Sequence, residues 1–369
     1  MPQMREVYKS AQVFTGHSML QSYAVVVNNG IIEDIVPASS ITSNENIIDE
    51  GDSIIAPAFI DLQLYGAHER LLAVYPDAKT VEAIYEYSVK GGAVYCMPTV
   101  ATNSYDVIFN CVDAVRDYWK KDGKGVIGLH VEGPWISKAK RGAHIEEFIF
   151  SPSIEKAKEL LDYGKDVIKM ITLAPEECSD EIIGLIHSYD IVVSAGHSNA
   201  TYQQATNAFN KGIKVATHFY NAMSPLHHRA PGMVGAILNH PSVMCSLVPD
   251  GHHVDFEAII IAKKIMGNRL FAITDAVTET TQGYYKHHLE GEKYIADGIL
   301  SGSALTMHKA FVNLVTKCNI DVEEALRMCS LYPAQVMKME NEAGVLQKGT
   351  KANMIVLNKD LQLIKTVCY

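Results

Sequence analysis

The sequence lacks the features that mark membrane and secreted proteins. No apolar run among its 369 residues approaches the roughly 20 residues that a membrane-spanning helix needs. The N-terminal residues, Met1 to Glu6, lack the apolar stretch of a secretory signal. We therefore expect a cytoplasmic protein.

Paired cysteines and excess positive charge are also missing. The seven cysteines are scattered, with no C-x-x-C pair, so we expect reduced and mostly buried thiols. The formal net charge is −10, the wrong sign for a nucleic-acid binder that must neutralise phosphates. An anionic ligand would have to be held by a local cluster. With 48% hydrophobic and 20% charged residues and no repeat, the composition indicates an ordinary globular fold.

Both ends of the chain predict β structure. The runs 24–27 and 31–36 flank Asn28-Asn29-Gly30, which predicts a hairpin. Near the C-terminus, Gly344-Val345-Leu346 and Met354-Ile355-Val356-Leu357 repeat the pattern. We predict a small β-sandwich domain built from residues 1–55 and 344–369, on either side of a different domain at 56–343.

The central region alternates strand-like apolar runs with helix-like segments, which is typical of a parallel sheet with covering helices. Eight runs are found, and eight strands can close a (β/α)₈ TIM-like barrel; an open doubly wound sheet is the alternative. The barrel is favoured because polar residues suited to a site follow most of the strands, where barrel enzymes build their sites. The predicted strands are 56–63, 92–99, 126–131, 167–173, 191–195, 213–217, 243–248 and 270–274. The predicted helices include 81–90, 105–119, 154–161, 202–211 and 256–266.

Three strand ends carry residues that can bind a metal ion. The third strand ends in Glu132, followed by Gly-Pro; the fifth leads to His197 and the sixth to His218. Each histidine alone is weak support, since the chain has fifteen. Together, one carboxylate and two imidazoles at a barrel mouth form a ligand set that suits a catalytic Zn²⁺ with a position left for water.

Further polar residues are predicted at the same end of the barrel. Asp275 follows the eighth strand, as a general acid/base or in a salt bridge that closes the barrel. Arg229 lies in a loop rich in Pro and Gly beside His218, which favours a functional role. Leu300-Ser301-Gly302-Ser303 precedes a helix-like run at 304–315, so its amides could hold an anion, or Ser303 could simply cap the helix.

These motifs together resemble the N-acetylglucosamine-6-phosphate deacetylases of the amidohydrolase superfamily, over nearly the whole chain. Each motif is weak alone, but their order and spacing are specific. The motifs are Pro57-Ala58-Phe59-Ile60-Asp61-Leu62-Gln63, His130-Val131-Glu132-Gly133-Pro134, Ala195-Gly196-His197-Ser198, Thr217-His218-Phe219-Tyr220-Asn221-Ala222-Met223, Asp250-Gly251-His252-His253, Thr274-Asp275-Ala276 and Ser301-Gly302-Ser303.

The resemblance implies an amino-sugar catabolic enzyme that removes acetate from N-acetyl-D-glucosamine 6-phosphate. It implies one divalent metal held by Glu132, His197 and His218, with Asp275 transferring the proton and His144 polarising the acetamide carbonyl. It also implies a homodimer, in which Arg229 reaches the phosphate of the neighbouring subunit's substrate. The substrate-binding residues expected on this basis and from the loops above are Ala143, Asn221, Ala222, His253, Leu300, Ser301 and Gly302.

The first strand departs from the resemblance. Many amidohydrolases carry His-x-His there for a second metal, whereas this chain has Gln63 and Tyr65, which are poor ligands for Zn²⁺. We therefore predict a single metal. Zn²⁺ is favoured, and Fe²⁺, Co²⁺ and Mn²⁺ are alternatives because the same ligand set accepts them. Relatives with Gln at the first position often have Asn where Tyr65 stands, and their following glycine-rich stretch is replaced here by residues 67–70.

Three other functions remain as alternatives. The substrate could be another N-acyl amino-sugar phosphate, such as the galactosamine epimer. The chain could be a scaffold that has lost catalysis, although such a protein would be expected to have lost at least one ligand. Hydrolysis of a cyclic amide, as by dihydroorotase, usually needs the second metal that Gln63 and Tyr65 argue against.

Overall fold

The computed structural model describes residues 5–42 and 46–369, which form two compact units. One comprises the described residues up to Asp61 with Ser88–Tyr95 and Thr306–Tyr369; the other comprises Leu62–Tyr87 and Cys96–Leu305. The domain boundaries given above stay predictions, and residues 1–4 and 43–45 of the first range lie outside the described residues. No helix in the described ranges has the length and apolar character needed to cross a membrane.

Twenty strands occur in the described residues. They are β1 (Arg5–Phe14), β2 (Met19–Asn28), β3 (Ile31–Pro37), β4 (Ile47–Asp49), β5 (Ile54–Pro57), β6 (Phe59–Leu64), β7 (Gly66–Ala67), β8 (Arg70–Leu71), β9 (Ala93–Ala101), β10 (Leu129–Glu132), β11 (Ile168–Leu173), β12 (Val192–Ala195), β13 (Val215–Ala216), β14 (Met244–Leu247), β15 (Leu270–Ala272), β16 (His288–Glu290), β17 (Lys293–Ala296), β18 (Ile299–Ser303), β19 (Met354–Leu357) and β20 (Leu363–Val367).

The same residues form ten α-helices. They are α1 (Ala78–Lys90), α2 (Tyr105–Trp119), α3 (Ile154–Gly164), α4 (Asp180–Ser188), α5 (Tyr202–Asn210), α6 (Gly232–Asn239), α7 (Phe256–Met266), α8 (Met307–Thr316), α9 (Val322–Cys329) and α10 (Leu331–Val336).

The two chain ends share one seven-stranded sheet, as the sequence predicted. Its order is β20-β19-β5-β1-β2-β3, with β4 paired to β1. The predicted hairpin joins β2 to β3, and its turn residues Asn29 and Gly30 have φ of +50° and +80°. Both positive values are those of a type I′ turn, which matches the twist of the strands it joins.

Eight parallel strands form a closed barrel in the order β15-β14-β13-β12-β11-β10-β9-β6. Closure is made where the first and last strands meet. The amide of Tyr65 donates to the carbonyl of Ala276 at 2.8 Å, and that of Asp275 donates to the carbonyl of Gln63 at 2.9 Å. The predicted barrel is therefore confirmed over an open sheet. All six residues of β6 are buried, including the polar side chains of Asp61 and Gln63.

The predicted elements match the observed ones best in the strongly patterned segments. The bounds of α2 and α7 are those predicted, and each predicted barrel strand overlaps an observed one. The strands are often shorter than predicted, as for β13, which has two residues where five were expected. The strand predicted at Gly344–Leu346 is wrong. Leu346 is apolar because it packs in the core of the terminal sheet, not because it pairs as a strand.

The helix start predicted at Leu300–Ser303 is also wrong. These residues belong to β18, which pairs with β17 in a small antiparallel sheet of β16, β17 and β18. The following helix, α8, begins at Met307, and its cap is Thr306, whose hydroxyl accepts from the amide of Lys309 at 3.2 Å. The amide of Ser303 donates to the carbonyl of Asp275 at 3.0 Å. The segment therefore offers no helix N-terminus for an anion.

Candidate active site

Four polar residues emerge together at the carboxyl ends of the barrel strands. Glu132 is the last residue of β10, and His197, His218 and Asp275 follow β12, β13 and β15 within three residues. The last three have φ of +47°, +35° and +54°, a left-handed conformation that costs of order 1–3 kcal/mol in a residue other than glycine. Such strain is concentrated at functional sites, and here the chain turns sharply as each strand ends.

One carboxylate oxygen and two imidazole nitrogens form a small triangle. Glu132 Oε1 lies 3.1 Å from His218 Nε2 and 3.4 Å from His197 Nε2, and the two nitrogens are 3.0 Å apart. Ligands about 2.0–2.1 Å from a tetrahedral metal ion are about 3.3 Å from one another. The three donors therefore have the spacing of one coordination sphere.

The hydrogen bonds of the imidazoles support the same interpretation. Nδ1 of His197 faces the carbonyl of Lys140 at 2.9 Å, and a carbonyl can only accept, so Nδ1 carries the proton and Nε2 has the free lone pair. Metal-bound histidines are typically oriented in this way. His218 Nδ1 is buried without a hydrogen-bond partner among the described residues. The donor set fits a divalent metal.

His144 contacts the other oxygen of the same carboxylate. Its Nε2 lies 3.2 Å from Glu132 Oε2, and its Nδ1 lies 2.7 Å from the Thr102 hydroxyl. Glu132, His144 and His197 thus form a second possible metal-binding group, whose donor atoms lie within 4.8 Å of one another. The group with His218 is tighter, since its three donor atoms lie within 3.4 Å of one another. His144 lies beside that group, able to contact a substrate.

His253 lies between the carboxylates of Asp250 and Asp275. His253 Nδ1 donates to Asp250 Oδ2 at 2.6 Å, and its Nε2 lies 3.6 Å from Asp275 Oδ2. The side chain of Asp250 is also held by the amides of His252 and His253, at 2.8 and 2.7 Å. The bonds to Asp250 therefore fix the orientation of the His253 ring, which lies close to the carboxylate of Asp275.

Gln63 and Tyr65 lie beneath the same carboxylates. Gln63 Nε2 is 2.7 Å from the Tyr65 hydroxyl, 2.8 Å from Asp275 Oδ1 and 3.0 Å from Glu132 Oε1. The Tyr65 hydroxyl donates to Glu132 Oε2 and lies 3.3 Å from Asp275 Oδ1. The two residues thus contact both acidic groups of the site.

Burial and neighbouring charges set the protonation of these groups. Burial raises the pKa of Asp275, against the opposing charges of His253 and His218. Burial alone would raise the pKa of Glu132, but the hydrogen bond with His144 and the charge of His197 lower it below its usual range. Burial lowers the pKa of His197 to about 4. For His218, the effect of burial is outweighed by Glu132, so its pKa is raised.

These groups line a cavity of about 840 Å³, including the space at its open mouth. Most residues expected from the sequence lie on its wall, namely Tyr65, Glu132, Ala143, His144, His197, His218, Asn221, Ala222, His253, Asp275, Leu300 and Ser301.

Three expected residues do not line the cavity, namely Gln63, whose contacts are given above, Arg229 and Gly302. Arg229 lies in the exposed segment 225–230, so nothing in this single chain brings it to the site. Gly302 has φ of +151°, and a Cβ there would lie 2.5 Å from Val277 Cγ1. Glycine at 302 therefore allows close packing of β18 against the segment after β15, and its part in substrate binding stays a prediction.

Several residues of the wall were missed from the sequence. Leu71, Val277 and Tyr285 form an apolar cluster on the wall together with the expected Tyr65. His287 also lines the cavity, with Nδ1 2.8 Å from the Ser301 hydroxyl. The alternation of Tyr285 and His287 in an extended segment was the available signal, since residues two apart share a face. That signal is weak because it does not say which face is inward.

Comparison with known proteins agrees with the fold and the site. Residues 54–368 match the amidohydrolase family, and residues 9–49 match the NagA composite domain. The chain is 34% identical over 366 residues to the N-acetylglucosamine-6-phosphate deacetylase of Haemophilus influenzae, with 96% of each chain covered. It is 28% identical to the N-acetylgalactosamine-6-phosphate deacetylase of Escherichia coli O157:H7, over 98% of this chain and 97% of the relative.

A solved structure is similar over nearly its whole length. The crystal structure of the N-acetylglucosamine-6-phosphate deacetylase from Pasteurella multocida superimposes with a TM-score of 0.94 at 33% identity, covering 99% of this chain and 98% of that one. The match to the family covers well over half of the chain, and it includes every residue of the carboxylate and imidazole group described above. The chain belongs to the amidohydrolase family.

Proposed function

We propose that the protein hydrolyses the acetamide of N-acetyl-D-glucosamine 6-phosphate to glucosamine 6-phosphate and acetate. The observation that carries the proposal is the triangle of Glu132 Oε1, His197 Nε2 and His218 Nε2, with Asp275 on the same cavity wall. The activity named for the relatives from Haemophilus influenzae and Pasteurella multocida supports it.

Glu132, His197 and His218 would hold one divalent cation, for which Zn²⁺ is favoured over Fe²⁺, Co²⁺ or Mn²⁺. When bound, such an ion polarises a carbonyl oxygen and lowers the pKa of water towards neutrality. The neutral imidazole of His197 and the ionised Glu132 are the protonation states that a cation requires of its ligands. The choice of metal depends on supply as well as on the ligands.

Asp275 is proposed as the group that moves the proton. Its carboxylate accepts a proton from the attacking water and returns it to the amine nitrogen as the C–N bond breaks. The raised pKa of Asp275 favours the first step, because it makes the carboxylate a stronger base near neutral pH. The nearby His253 limits the rise through its positive charge.

His144 is proposed to donate a hydrogen bond to the acetamide oxygen. For Nε2 of the neutral ring to carry the proton, Nδ1 must accept, and the Thr102 hydroxyl lies 2.7 Å away and can donate to it. This arrangement orients the ring with Nε2 towards the cavity. A donor aimed at a developing oxyanion contributes about 3–4 kcal/mol in comparable sites.

The deciding experiment is an acetate-release assay of the metal-loaded protein with N-acetylated amino-sugar 6-phosphates and their unphosphorylated forms. We expect the glucosamine derivative to be hydrolysed fastest and the phosphate to be required. In parallel, Asp275→Asn should lower turnover by about 10²–10⁴-fold with metal content unchanged. Asp297→Asn, in an exposed turn, is the control. Failure with every phosphorylated sugar would contradict the substrate, and near-normal turnover of Asp275→Asn would contradict the mechanism.

The galactosamine epimer is the main alternative, supported by the relative from Escherichia coli O157:H7. The same assay distinguishes the two, because the epimers are separate substrates in it. A scaffold without catalysis is disfavoured by the complete set of Glu132, His197, His218 and Asp275. Cyclic amide hydrolysis is disfavoured by Gln63 and Tyr65 at the positions of a second metal.

The remaining assignments concern substrate binding and assembly. Ala143, Asn221, Ala222, His253, Leu300 and Ser301 are proposed to contact the sugar phosphate, since they line the cavity. Arg229 is proposed to act in the partner's site of a homodimer, which agrees with its exposure outside the cavity of its own chain. The cytoplasmic location stays a prediction.

Subunit mixing tests the role of Arg229. Homodimers of Arg229→Ala and of Asp275→Asn should both be weakly active. Mixed dimers should regain one active site, so an equal co-expressed mixture should recover about a quarter of wild-type activity. No recovery, with mixed dimers present, would contradict the assignment.

A further inference from the structure

The hydroxyl of Tyr65 lies between the two carboxylates of the site. It donates to Glu132 Oε2, lies 3.3 Å from Asp275 Oδ1 and is 2.7 Å from Gln63 Nε2. The side chain is buried, at 9% exposure, and the ring packs in the apolar cluster with Leu71, Val277 and Tyr285. The position of the hydroxyl is therefore set by the packing of the ring.

The donors and acceptors around the Tyr65 hydroxyl can be paired without conflict. Gln63 Nε2 has two protons, which can go to the Tyr65 oxygen and to Asp275 Oδ1, at 2.7 and 2.8 Å. The single proton of Tyr65 is then left for Glu132 Oε2. Each carboxylate thus receives a neutral donor, one from β6 and one from the residue that follows it.

This pattern separates the two oxygens of Glu132. Oε2 is occupied by the Tyr65 hydroxyl and faces His144, whereas Oε1 faces the imidazoles of His197 and His218 and also lies 3.0 Å from Gln63 Nε2, whose two protons have the closer acceptors named above. A carboxylate held in this way presents one oxygen to a cation in a fixed orientation. Hydrogen bonds to metal ligands typically change metal affinity or activity by 10–100-fold.

We infer that Tyr65 is a positioning residue that substitutes for a second cation. Its hydroxyl satisfies the facing oxygens of Glu132 and Asp275, limits the site to one ion and holds Glu132 Oε1 towards His197 and His218. The inference rests on the proposed metal site. It goes beyond the poor ligand character of Tyr65, because it gives the phenol an active part in holding the single ion.

The test is the metal affinity of Tyr65→Phe, which keeps the ring and removes only the hydroxyl. Wild-type and variant proteins are stripped of metal and titrated with Zn²⁺ against a competing chelator. We expect wild type to take up one ion per chain and Tyr65→Phe to bind it about 10–100-fold more weakly. With Co²⁺, the visible absorption spectrum should shift in the variant, because Glu132 is no longer fixed.

Tyr285→Phe is the matched control. Its hydroxyl is also buried at the cavity, but it donates to the carbonyl of Thr102 at 2.6 Å instead of to a carboxylate of the site. We expect its Zn²⁺ affinity to equal that of wild type. If Tyr65→Phe does not fold, Gln63→Met tests the same network, since it removes the donor that orients the Tyr65 hydroxyl, and it should also weaken Zn²⁺ binding.

The possible outcomes are distinct. A loss of less than about tenfold in Zn²⁺ affinity for Tyr65→Phe would overturn the inference, and so would two ions bound at the wild-type site. A wild-type protein that binds no divalent metal would overturn the proposed function, and the inference with it. Loss of acetate release with unchanged Zn²⁺ affinity would overturn the inference alone.

Discussion

At the scale of single residues, the site depends on backbone conformations that its side chains do not favour. His197, His218 and Asp275 all have positive φ. The left-handed conformation brings the Cβ close to the following carbonyl oxygen and costs about 1–2 kcal/mol per residue. These residues keep it because the barrel around them fixes the strand ends.

This strain predicts an unusual order of stability at residue 275. Because glycine has no Cβ, Asp275→Gly should be more stable than Asp275→Ala by about 1 kcal/mol. The free energies of unfolding are measured by urea denaturation of the metal-free proteins. The control is the exposed helical residue Glu159, where glycine should instead be less stable than alanine by about 1 kcal/mol. Equal stability of the two variants at 275 would contradict strain.

His287 should make the folded state sensitive to acid. Burial lowers its pKa to about 4, whereas the unfolded chain titrates near the usual value of about 6.5. The unfolded state therefore binds more protons between these values. The free energy of unfolding should fall as the pH drops from about 6.5 towards 4, by up to about 3 kcal/mol.

The measurement is urea denaturation at pH 7 and pH 4.5 in the presence of a chelator. His287→Gln should show a smaller loss of stability than wild type. His288→Gln is the control, because that neighbouring side chain is 55% exposed. Equal losses in wild type and His287→Gln would show that His287 is not buried as a neutral group.

At the scale of elements, the turn after β10 connects the metal site to His144. Gly133 has φ of +81°, and a Cβ there would overlap the hydroxyl oxygen of Thr102. Thr102 in turn contacts His144 Nδ1 at 2.7 Å. A side chain at residue 133 would therefore disturb the orientation of His144 through Thr102.

Gly133→Ala should accordingly lose both stability and activity. We expect a loss of about 1–3 kcal/mol and a fall in turnover with little change in Zn²⁺ affinity. Gly51→Ala is the control, since Gly51 also has a positive φ of +59° but no atom within 4 Å of an added Cβ. It should show only the backbone cost, about 1 kcal/mol, with normal turnover. Normal turnover of Gly133→Ala would remove Thr102 from the orientation of His144.

At the scale of the whole molecule, barrel closure assembles the site from distant parts of the chain. Gln63 and Asp275 are hydrogen-bonded although they are 212 residues apart, and Tyr65 contacts Asp275 over 210. The backbone bonds that close the barrel involve the same residues. The global fold and the arrangement of the acidic groups therefore depend on the same contacts.

Metal removal should consequently lower the stability of the whole protein. An ion that binds only the folded state adds about 2.7 kcal/mol at a free concentration 100 times its Kd. We expect a chelator to lower the Tm of wild type in differential scanning calorimetry. Glu132→Gln, which lacks the proposed carboxylate ligand, should show little further change. An unchanged wild-type Tm would contradict a metal bound to the folded state.

The sequence by itself determined the eight-stranded parallel sheet and the terminal sheet, and it favoured the barrel that brings Glu132, His197, His218 and Asp275 into one site. Those features follow from local patterns, because strand order places the residues after successive strands at one end of a parallel sheet. The sequence does not reveal the small sheet of β16, β17 and β18, because its short strands carry little periodic signal. For this reason the helix start predicted at residues 300–303 is wrong.

Only the tertiary structure decided the contacts made across the cavity. The Tyr65 hydroxyl meets Glu132 and Asp275, His253 joins Asp250 to Asp275, and Tyr285 and His287 form part of the wall. These contacts join residues from separate strands and loops, and their distances depend on how the barrel closes and how its side chains pack. No local pattern contains that information, because each residue alone is compatible with many neighbours.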